Sequence, residues 1–213
     1  MSFVFVHGLS GSSRWWRDVL PLLGDQEARL LDLPRFGRRF RPLASVDWLA
    51  GELAAGEPAV LVGHSMGGLV CATLAARRPE LVRALVLVSP AGAPVPRSTA
   101  AYATGLARAL AVAPLPVIRH LAGDALRTGP EALLYGALFA TREQFAGEIG
   151  VPTLLVWGEH DHLLPVTLAE AWREAVPTAR VVVIPGTGHV PMVEDPSAFA
   201  EALLEFVDDL GDG

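Results

Sequence analysis

Six short apolar runs, each of strand length, recur along the chain and are separated by stretches with helical patterning. Most of these runs are continuous in Val, Ile, Leu and Phe and do not alternate between apolar and polar residues. Continuous runs are typical of strands whose sheet is covered by helices on both faces, which is the usual state of a parallel sheet. The chain is therefore predicted to be an α/β protein with a parallel sheet of about six strands. The predicted strands are Phe3–Val6, Arg29–Leu31, Ala59–Val62, Ala84–Val88, Thr153–Val156 and Arg180–Ile184.

Helical patterns fill most of the intervals between these strands. Pro79 and Pro177 follow two of the patterns closely, as prolines commonly do beyond the C-terminus of a helix. The predicted core helices are Ser13–Leu23, Ser45–Ala54, Met66–Arg77, Val166–Ala175 and Ser197–Asp209. Because strands and helices alternate over the whole length, we expect one domain, residues 1–213, with a core made of 1–90 and 150–213.

One interval is much longer than the others. About sixty residues lie between the strand that ends near Ser89 and the strand that begins near Val151, whereas strand-to-helix connections usually take a few residues. We call residues 91–149 the inserted segment. Helical patterns occur in it at Thr99–Ala111 and Pro130–Phe139. A long insertion on a regular sheet usually covers a site, so the inserted segment is predicted to be a helical cap.

Composition and charge exclude several classes of protein. The net charge of −6 and the pI near 5.5 argue against nucleic-acid binding. Cys71 is the single cysteine, so neither an intrachain disulfide nor a Cys-based metal site can form. The longest apolar stretch, 100–118, is interrupted by Arg108, Pro114 and Pro116, which argues against a membrane span. The N-terminal residues lack the basic region and cleavage site of a secretory signal, so a cytoplasmic location is expected.

A serine follows the third predicted strand in a Gly-x-Ser-x-Gly pattern, with Ser65 between Gly63 and Gly67. In this context the serine lies on a sharp turn between a strand and a helix, with its hydroxyl exposed above the sheet. The glycines let strand and helix approach closely, since a Cβ at either position would collide with neighbouring backbone. The pattern alone is weak, because a chain with 21 glycines can contain it by chance. The residues around Ser65 therefore have to decide its role.

A carboxylate and an imidazole follow two later strands. Asp161 comes after the fifth predicted strand and His189 after the sixth. Because the carboxyl ends of parallel strands open on one side of a sheet, the loops that carry Ser65, Asp161 and His189 are expected to meet. A serine hydroxyl is a poor nucleophile without a base, and His189 would accept its proton and return it to the leaving group. Asp161 would orient the imidazole and stabilise its charged form.

With these residues the chain resembles α/β-hydrolase-fold serine hydrolases of the single-domain esterase- and lipase-like type, in which the triad follows the order Ser, Asp, His. The resemblance covers residues 3–210 apart from the inserted segment. It implies a cofactor-free carboxylic ester hydrolase, without a metal, that forms an acyl-enzyme on Ser65 with Asp161 and His189. It also implies that the backbone N–H groups of Leu9 and Met66 form the oxyanion hole. The matching segments are His7-Gly8, Asp32-Leu33-Pro34-Arg35-Phe36-Gly37, Gly63-His64-Ser65-Met66-Gly67-Gly68, Gly158-Glu159-His160-Asp161, Gly188-His189 and Glu194-Asp195-Pro196.

The chain departs from the family pattern at its first strand. Such folds usually begin with two further strands before the His-Gly strand, whereas here Met1 comes directly before it. A shortened sheet of six parallel strands is the expected consequence. The catalytic groups should not be affected, because the missing strands belong to the distant edge of the sheet.

Ionisable neighbours leave alternatives to the predicted acid. Glu159 lies two residues before Asp161, and Asp195 follows the histidine loop. Asp195 precedes a proline and is expected to cap the last helix. His160 and His162 flank Asp161, but they alternate along an extended loop, so a metal site is not predicted there.

Two histidines and two tryptophans, near the N-terminus or next to Ser65, are assigned structural roles. His7 and His64 occupy fixed places in the motifs quoted above and are not predicted to bind a metal. Trp15 and Trp16 lie on the first predicted helix and are expected to pack in the core, with one of them able to reach a substrate pocket.

The substrate remains open at this point. The apolar inserted segment, which includes Tyr102, Tyr135 and Phe139, favours a small-molecule ester or thioester with an apolar portion. An acyl thioesterase that meets a pantetheine-phosphate carrier, a C–C bond hydrolase and a ligand-binding protein on the hydrolase fold are the alternatives. Hydrolysis of halides or epoxides is disfavoured, because the family members that perform it carry an aspartate at the position of Ser65. A cluster of arginines is either a solvated loop or a contact for a substrate carboxylate or phosphate. The cluster consists of Arg35, Arg38, Arg39 and Arg41.

Overall fold

The computed structural model of the chain describes residues 1–9, 11–34, 42–95, 98–129, 138 and 142–211. In this part of the chain six strands form one sheet in the order β2-β1-β3-β4-β5-β6, and every neighbouring pair is parallel. The predicted α/β-hydrolase fold with a parallel six-stranded sheet is therefore confirmed. The strands are β1 (Ser2–Val6), β2 (Glu27–Leu31), β3 (Ala59–His64), β4 (Val82–Val88), β5 (Thr153–Gly158) and β6 (Arg180–Ile184).

The core lies in two layers, one on each face of the sheet. Alternate residues of a strand enter different layers, as the period of a strand requires. In β1, Phe3 and Phe5 join the layer that contains Trp16 and Phe199. Val4 and Val6 join the other layer, which is formed with the helix that follows β3. Burial on both faces explains why the strand runs are continuously apolar.

The described α-helices agree with the predicted helices to within three residues at each end, apart from the intervals 13–23, 115–128 and 191–194. The interval 13–23 contains two short 3₁₀ helices, Ser13–Trp16 and Leu20–Leu22, instead of the predicted α-helix Ser13–Leu23. Pro21 in the middle of this interval removes a backbone donor, which an α-helix interior does not tolerate. The α-helices are α1 (Pro42–Leu53), α2 (Met66–Arg77), α3 (Thr99–Val112), α4 (Leu115–Thr128), α5 (Leu168–Ala175), α6 (Pro191–Glu194) and α7 (Pro196–Asp209).

Two of the described helices, α3 and α4, belong to the inserted segment. α3 follows the predicted bounds closely, whereas α4 was not predicted. Pro116 occupies the first turn of α4, where a proline is compatible with a helix. Apart from residue 138, the predicted helix Pro130–Phe139 lies outside the described residues. α3 packs directly on the loop after β5, since a Cβ at Gly105 would come within 2.5 Å of the carbonyl oxygen of His162.

Candidate active site

Ser65 lies between the end of β3 and the start of α2, on a strained backbone with φ 51° and ψ −116°. Three backbone hydrogen bonds hold it in this conformation. Its N–H donates to the carbonyl oxygen of Val88 at 2.9 Å, and its own carbonyl oxygen accepts from Ala91 at 2.9 Å and from Leu69 at 3.3 Å. Strained residues persist where the surroundings over-determine them, and they are concentrated at functional sites.

The two glycines of the Gly-x-Ser-x-Gly pattern are required by close packing. A Cβ at Gly63 would come within 2.7 Å of the carbonyl oxygen of Gly67. A Cβ at Gly67 would come within 2.7 Å of the carbonyl oxygen of Val6 and even closer to that of His7. The predicted steric role of both glycines is therefore confirmed, and the turn that carries Ser65 packs directly against the loop after β1.

That loop carries the predicted oxyanion donor Leu9. A Cβ at Gly8 would come within 2.9 Å of Ser65 Cβ, so the Gly8–Leu9 backbone lies beside the serine. The buried His7 fixes this backbone, because its Nε2 accepts from the N–H of Leu33 at 3.0 Å and its Nδ1 donates to the carbonyl oxygen of Gly8 at 2.7 Å. Burial lowers the pKa of His7, which favours the neutral ring that these two bonds require.

Met66, the second predicted oxyanion donor, is the first residue of α2 and is buried beside Ser65. The N–H groups of the first helical turn have no intrahelical acceptor and point out of the helix end. The segments that carry both predicted donors therefore lie next to Ser65. Their action on an oxyanion stays a prediction.

Asp161 and His189 meet at the ends of β5 and β6. His189 Nδ1 donates to Asp161 Oδ2 at 2.8 Å, and the carboxylate is 3% exposed. The other oxygen, Oδ1, accepts from the N–H groups of Leu163 at 2.9 Å and Leu164 at 2.8 Å. With Nδ1 as the donor, Nε2 of His189 is left as a proton acceptor.

The structure assigns other partners to the two alternative carboxylates. The exposed Glu159 accepts from the N–H of Gly186 at 2.9 Å. Asp195 accepts from the N–H of Ala198 at 3.0 Å and is the N-cap of α7, as predicted. Asp161 is thus the carboxylate that contacts the His189 imidazole in the described part of the chain.

No hydrogen bond joins the Ser65 hydroxyl to the His189 imidazole in the described part of the chain. The link between the two loops is His64, whose Nε2 donates to the carbonyl oxygen of His189 at 2.9 Å, with the two imidazole rings 4.8 Å apart. Burial, and to a smaller extent the neighbouring His189, hold the pKa of His64 well below its ordinary value, so its ring is neutral at pH 7. Serine–base hydrogen bonds are often long before substrate binds and tighten in the complex.

Glu194 supports the histidine loop and was not singled out from the sequence. Its carboxylate accepts from the N–H of Gly188 at 2.9 Å and from the N–H of Val190 at 3.2 Å, on either side of His189. The signal that could have indicated it is a glutamate five residues after the histidine and directly before a capped helix. Glu194 thus fixes the backbone that carries the imidazole.

An apolar cavity of about 100 Å³ lies beside His189. Residues of α3, of α4 and of the loop between them form half of its lining, and Trp15, the loops after β5 and β6 and Glu194 complete it. The aliphatic side chains of the two helices include Leu106, Leu110, Val117 and Leu121. An engineered apolar cavity of about 150 Å³ holds a benzene molecule, so this cavity is large enough for a short acyl chain. Of the three aromatic residues predicted here, Tyr102 packs on the core layer around α2. Tyr135 and Phe139 lie outside the described residues.

The arginine cluster predicted as a possible anion contact (Arg35, Arg38, Arg39 and Arg41) also lies outside the described residues, and its role stays open. Cys71 is fully buried, and burial raises the pKa of its thiol. It therefore behaves as a small apolar core group. Among the helices described, none is both long enough and apolar enough to cross a membrane.

The model of the alpha/beta hydrolase family matches residues 3–202. The chain belongs to the alpha/beta hydrolase family. The resemblance drawn from the sequence is thereby confirmed. Among its relatives is the pimeloyl-(acyl-carrier protein) methyl ester esterase of Neisseria meningitidis serogroup B. This relative is 29% identical over 237 residues, which are 95% of this chain and 91% of the relative.

Solved structures of other hydrolases have the same fold as this alpha/beta hydrolase. A thermophilic esterase is 26% identical with a TM-score of 0.76, over 98% of this chain and 90% of that one. An N-acyl homoserine lactone degrading enzyme is 22% identical with a TM-score of 0.81, over 97% of this chain and 93% of that one. The family and the esterases among the relatives confirm the predicted class of enzyme, an esterase-like hydrolase.

Proposed function

We propose that this alpha/beta hydrolase cleaves carboxylic esters through an acyl-enzyme intermediate on Ser65. The observation that carries the proposal is the 2.8 Å hydrogen bond from His189 Nδ1 to Asp161 Oδ2. Because that bond uses the Nδ1 proton, the free Nε2 can act as the general base that a serine nucleophile needs.

In the first half of the reaction, Ser65 Oγ forms a bond to the carbonyl carbon of the ester while His189 Nε2 takes the hydroxyl proton. Asp161 stabilises the imidazolium that results. The carbonyl π electrons move to oxygen, and the N–H groups of Leu9 and Met66 donate to this oxyanion. Donors of this kind are worth about 3–4 kcal/mol each in other acyl-transfer enzymes. The intermediate collapses when the alcohol leaves with the proton from His189.

In the second half, water attacks the acyl-enzyme and His189 takes one of its protons. The tetrahedral intermediate then releases the carboxylic acid and returns the proton to Ser65. Apart from the ester and one water, neither half requires a group outside the chain, since the reaction moves protons and one acyl group only.

The apolar cavity beside His189 supports a small-molecule substrate with a short apolar portion. Its wall offers apolar carbon almost throughout, so a charged or strongly hydrated group would lose water contacts on entry without compensation. The methyl ester esterase named above acts on an ester, which favours an ester over a thioester for this chain as well. We therefore infer that an acyl group occupies the cavity and that the alcohol faces the solvent.

The proposal is tested with nitrophenyl esters of increasing acyl length, acyl-CoA thioesters and a fluorophosphonate probe. We expect hydrolysis of short-chain esters, covalent labelling of the wild type, and loss of both in Ser65→Ala. Ser197→Ala, which removes an exposed serine, is the matched control. Activity of Ser65→Ala at the wild-type level would refute the mechanism. A wild type that binds esters but is neither labelled nor active would show a ligand-binding protein instead.

A further inference from the structure

Asp124 is a buried carboxylate that the proposed reaction does not use. It lies on α4 of the inserted segment and is 1% exposed. Its partners come from the segment after β1, more than one hundred residues earlier. Oδ2 accepts from Trp15 Nε1 at 2.6 Å and from Ser12 Oγ at 3.0 Å, and Oδ1 accepts from Arg14 Nη2 at 2.6 Å.

The contacts identify Asp124 as an ionised group. Burial raises the pKa of this carboxyl group, but the hydrogen bonds from Trp15, Arg14 and Ser12 outweigh burial and lower it overall. Arg127, one turn further along α4, adds a second guanidinium at 3.9 Å. A buried charge with this number of donors is costly to displace, because the buried Trp15 N–H would lose its acceptor.

Asp124 joins two elements that both line the apolar cavity. Trp15 contributes to the lining, and so do Val117 and Leu121 of α4. Val117, Leu121 and Asp124 follow one another at helical spacings of four and three, so they lie on one face of α4. The bond from Trp15 to Asp124 therefore fixes the indole relative to the aliphatic side chains of α4 that line the cavity.

The same indole reaches the proposed catalytic residues. Trp15 stacks on the His64 ring with centroids 6.0 Å apart, and His64 donates to the carbonyl oxygen of His189. The inserted segment is thus joined to the histidine loop through Asp124, Trp15 and His64. Each step of this connection is a direct contact between named side chains.

We propose that Asp124 is a positioning residue for acyl selectivity, which acts by holding Trp15 against α4 so that the cavity fits a short acyl chain. This inference rests on the proposed ester hydrolysis. It predicts that loss of the bond widens the cavity and weakens the contacts of the acyl chain, which are made in the bound substrate and in the transition state. Each methylene that loses its contacts lowers kcat/KM about fourfold, so the two additional methylenes of a butanoate correspond to about fifteenfold relative to an acetate.

The test compares kcat/KM for nitrophenyl butanoate and nitrophenyl acetate, with enzyme concentration taken from fluorophosphonate-labelled sites. The variants are Asp124→Ala and Trp15→Phe, which keeps an aromatic ring but removes the donor to Asp124. Asp208→Ala and Trp48→Phe are the controls, since both residues lie away from the cavity. We expect the butanoate-to-acetate ratio to fall about fifteenfold in both variants and to stay at the wild-type value in both controls.

Counting labelled sites separates positioning from stability, since a misfolded fraction would lower both substrates equally and leave the ratio unchanged. An unchanged ratio in Trp15→Phe would overturn the proposal, whatever Asp124→Ala does, and Trp15→Phe remains informative should the alanine variant not fold. A wild type that neither reacts with the probe nor cleaves either ester would instead refute the ester hydrolase itself.

Discussion

The contact between Asp161 and His189 leads to the strongest prediction, for the substitution Asp161→Asn. In the wild type, Oδ1 accepts two backbone N–H groups and Oδ2 accepts the His189 Nδ1 proton. An asparagine fits the same space and keeps the two backbone bonds only if its oxygen takes the Oδ1 position. Its NH2 group then lies where Oδ2 was, about 2.8 Å from His189 Nδ1.

Two donors cannot face each other at that distance, so the imidazole proton has to move to Nε2. Nε2 then donates and cannot accept the proton of Ser65, which removes the base. The same exchange in a serine protease lowers kcat about 10⁴-fold, or about 5 kcal/mol in activation free energy. The cost in stability is smaller, about 1–2 kcal/mol, because both backbone N–H groups keep an acceptor that has only lost its charge.

The assay is kcat for a short-chain nitrophenyl ester, together with the free energy of unfolding in urea. Glu159→Gln is the matched control, since it removes the charge of an exposed carboxylate two residues away. We expect a loss of about 10⁴ in Asp161→Asn and a change within twofold in Glu159→Gln. If Asp161→Asn keeps more than a tenth of the wild-type kcat, or Glu159→Gln loses as much, Asp161 does not orient the base.

Further predictions concern packing, capping and pH. Gly158→Ala places a Cβ 2.7 Å from the carbonyl oxygen of Thr187 and closer still to that of Gly188; urea unfolding should show a loss of about 1–3 kcal/mol, with lower kcat because the histidine loop moves. Asp195→Ala removes the N-cap of α7 and should cost about 1 kcal/mol of stability with kcat unchanged. The pKa of Asp124 is lowered in the folded chain. Its ionised form therefore stabilises the fold at pH values above about 4, the ordinary pKa of a carboxyl group. This stabilisation is lost as the pH falls through the lowered pKa of the folded state. The stability gap between wild type and Asp124→Asn, measured by urea unfolding from pH 6 downward, should therefore narrow below about pH 4; a gap that widens there would contradict the charge assignment.

The features predicted well from the sequence have strong local signals. The strands were found because helices on both faces require continuous apolar runs, and the sheet needs no long-range information to be recognised as parallel. The meeting of Asp161 and His189 followed from the same topology, since β5 and β6 are neighbours whose carboxyl ends share one edge. Sequence order and sheet geometry together were therefore sufficient for this pair.

The features that were missed depend on contacts between distant segments. The bond from Trp15 to Asp124 joins residues 109 apart in the chain, and neither residue is unusual in its local context. The helix α4 was also missed, although Pro116 lies in its first turn, where a proline is compatible with a helix. The role of His64 depends on its hydrogen bond to the His189 carbonyl oxygen across 125 residues, which no local pattern indicates.

The pairing of β4 with β5 has a consequence for how such an enzyme can change. The chain leaves the sheet after β4 and returns at β5, yet the two strands pair in continuous register from Leu85 with Thr153 to Val88 with Val156. Most of the segment between them can consequently be exchanged for one of another length or composition, while the strands that precede Ser65, Asp161 and His189 keep their places. Replacement of the inserted segment, in evolution or by design, can therefore change the substrate preference while the reaction stays the same. By the proposal for Asp124, the new segment has to supply a carboxylate that accepts the hydrogen bond from Trp15 Nε1.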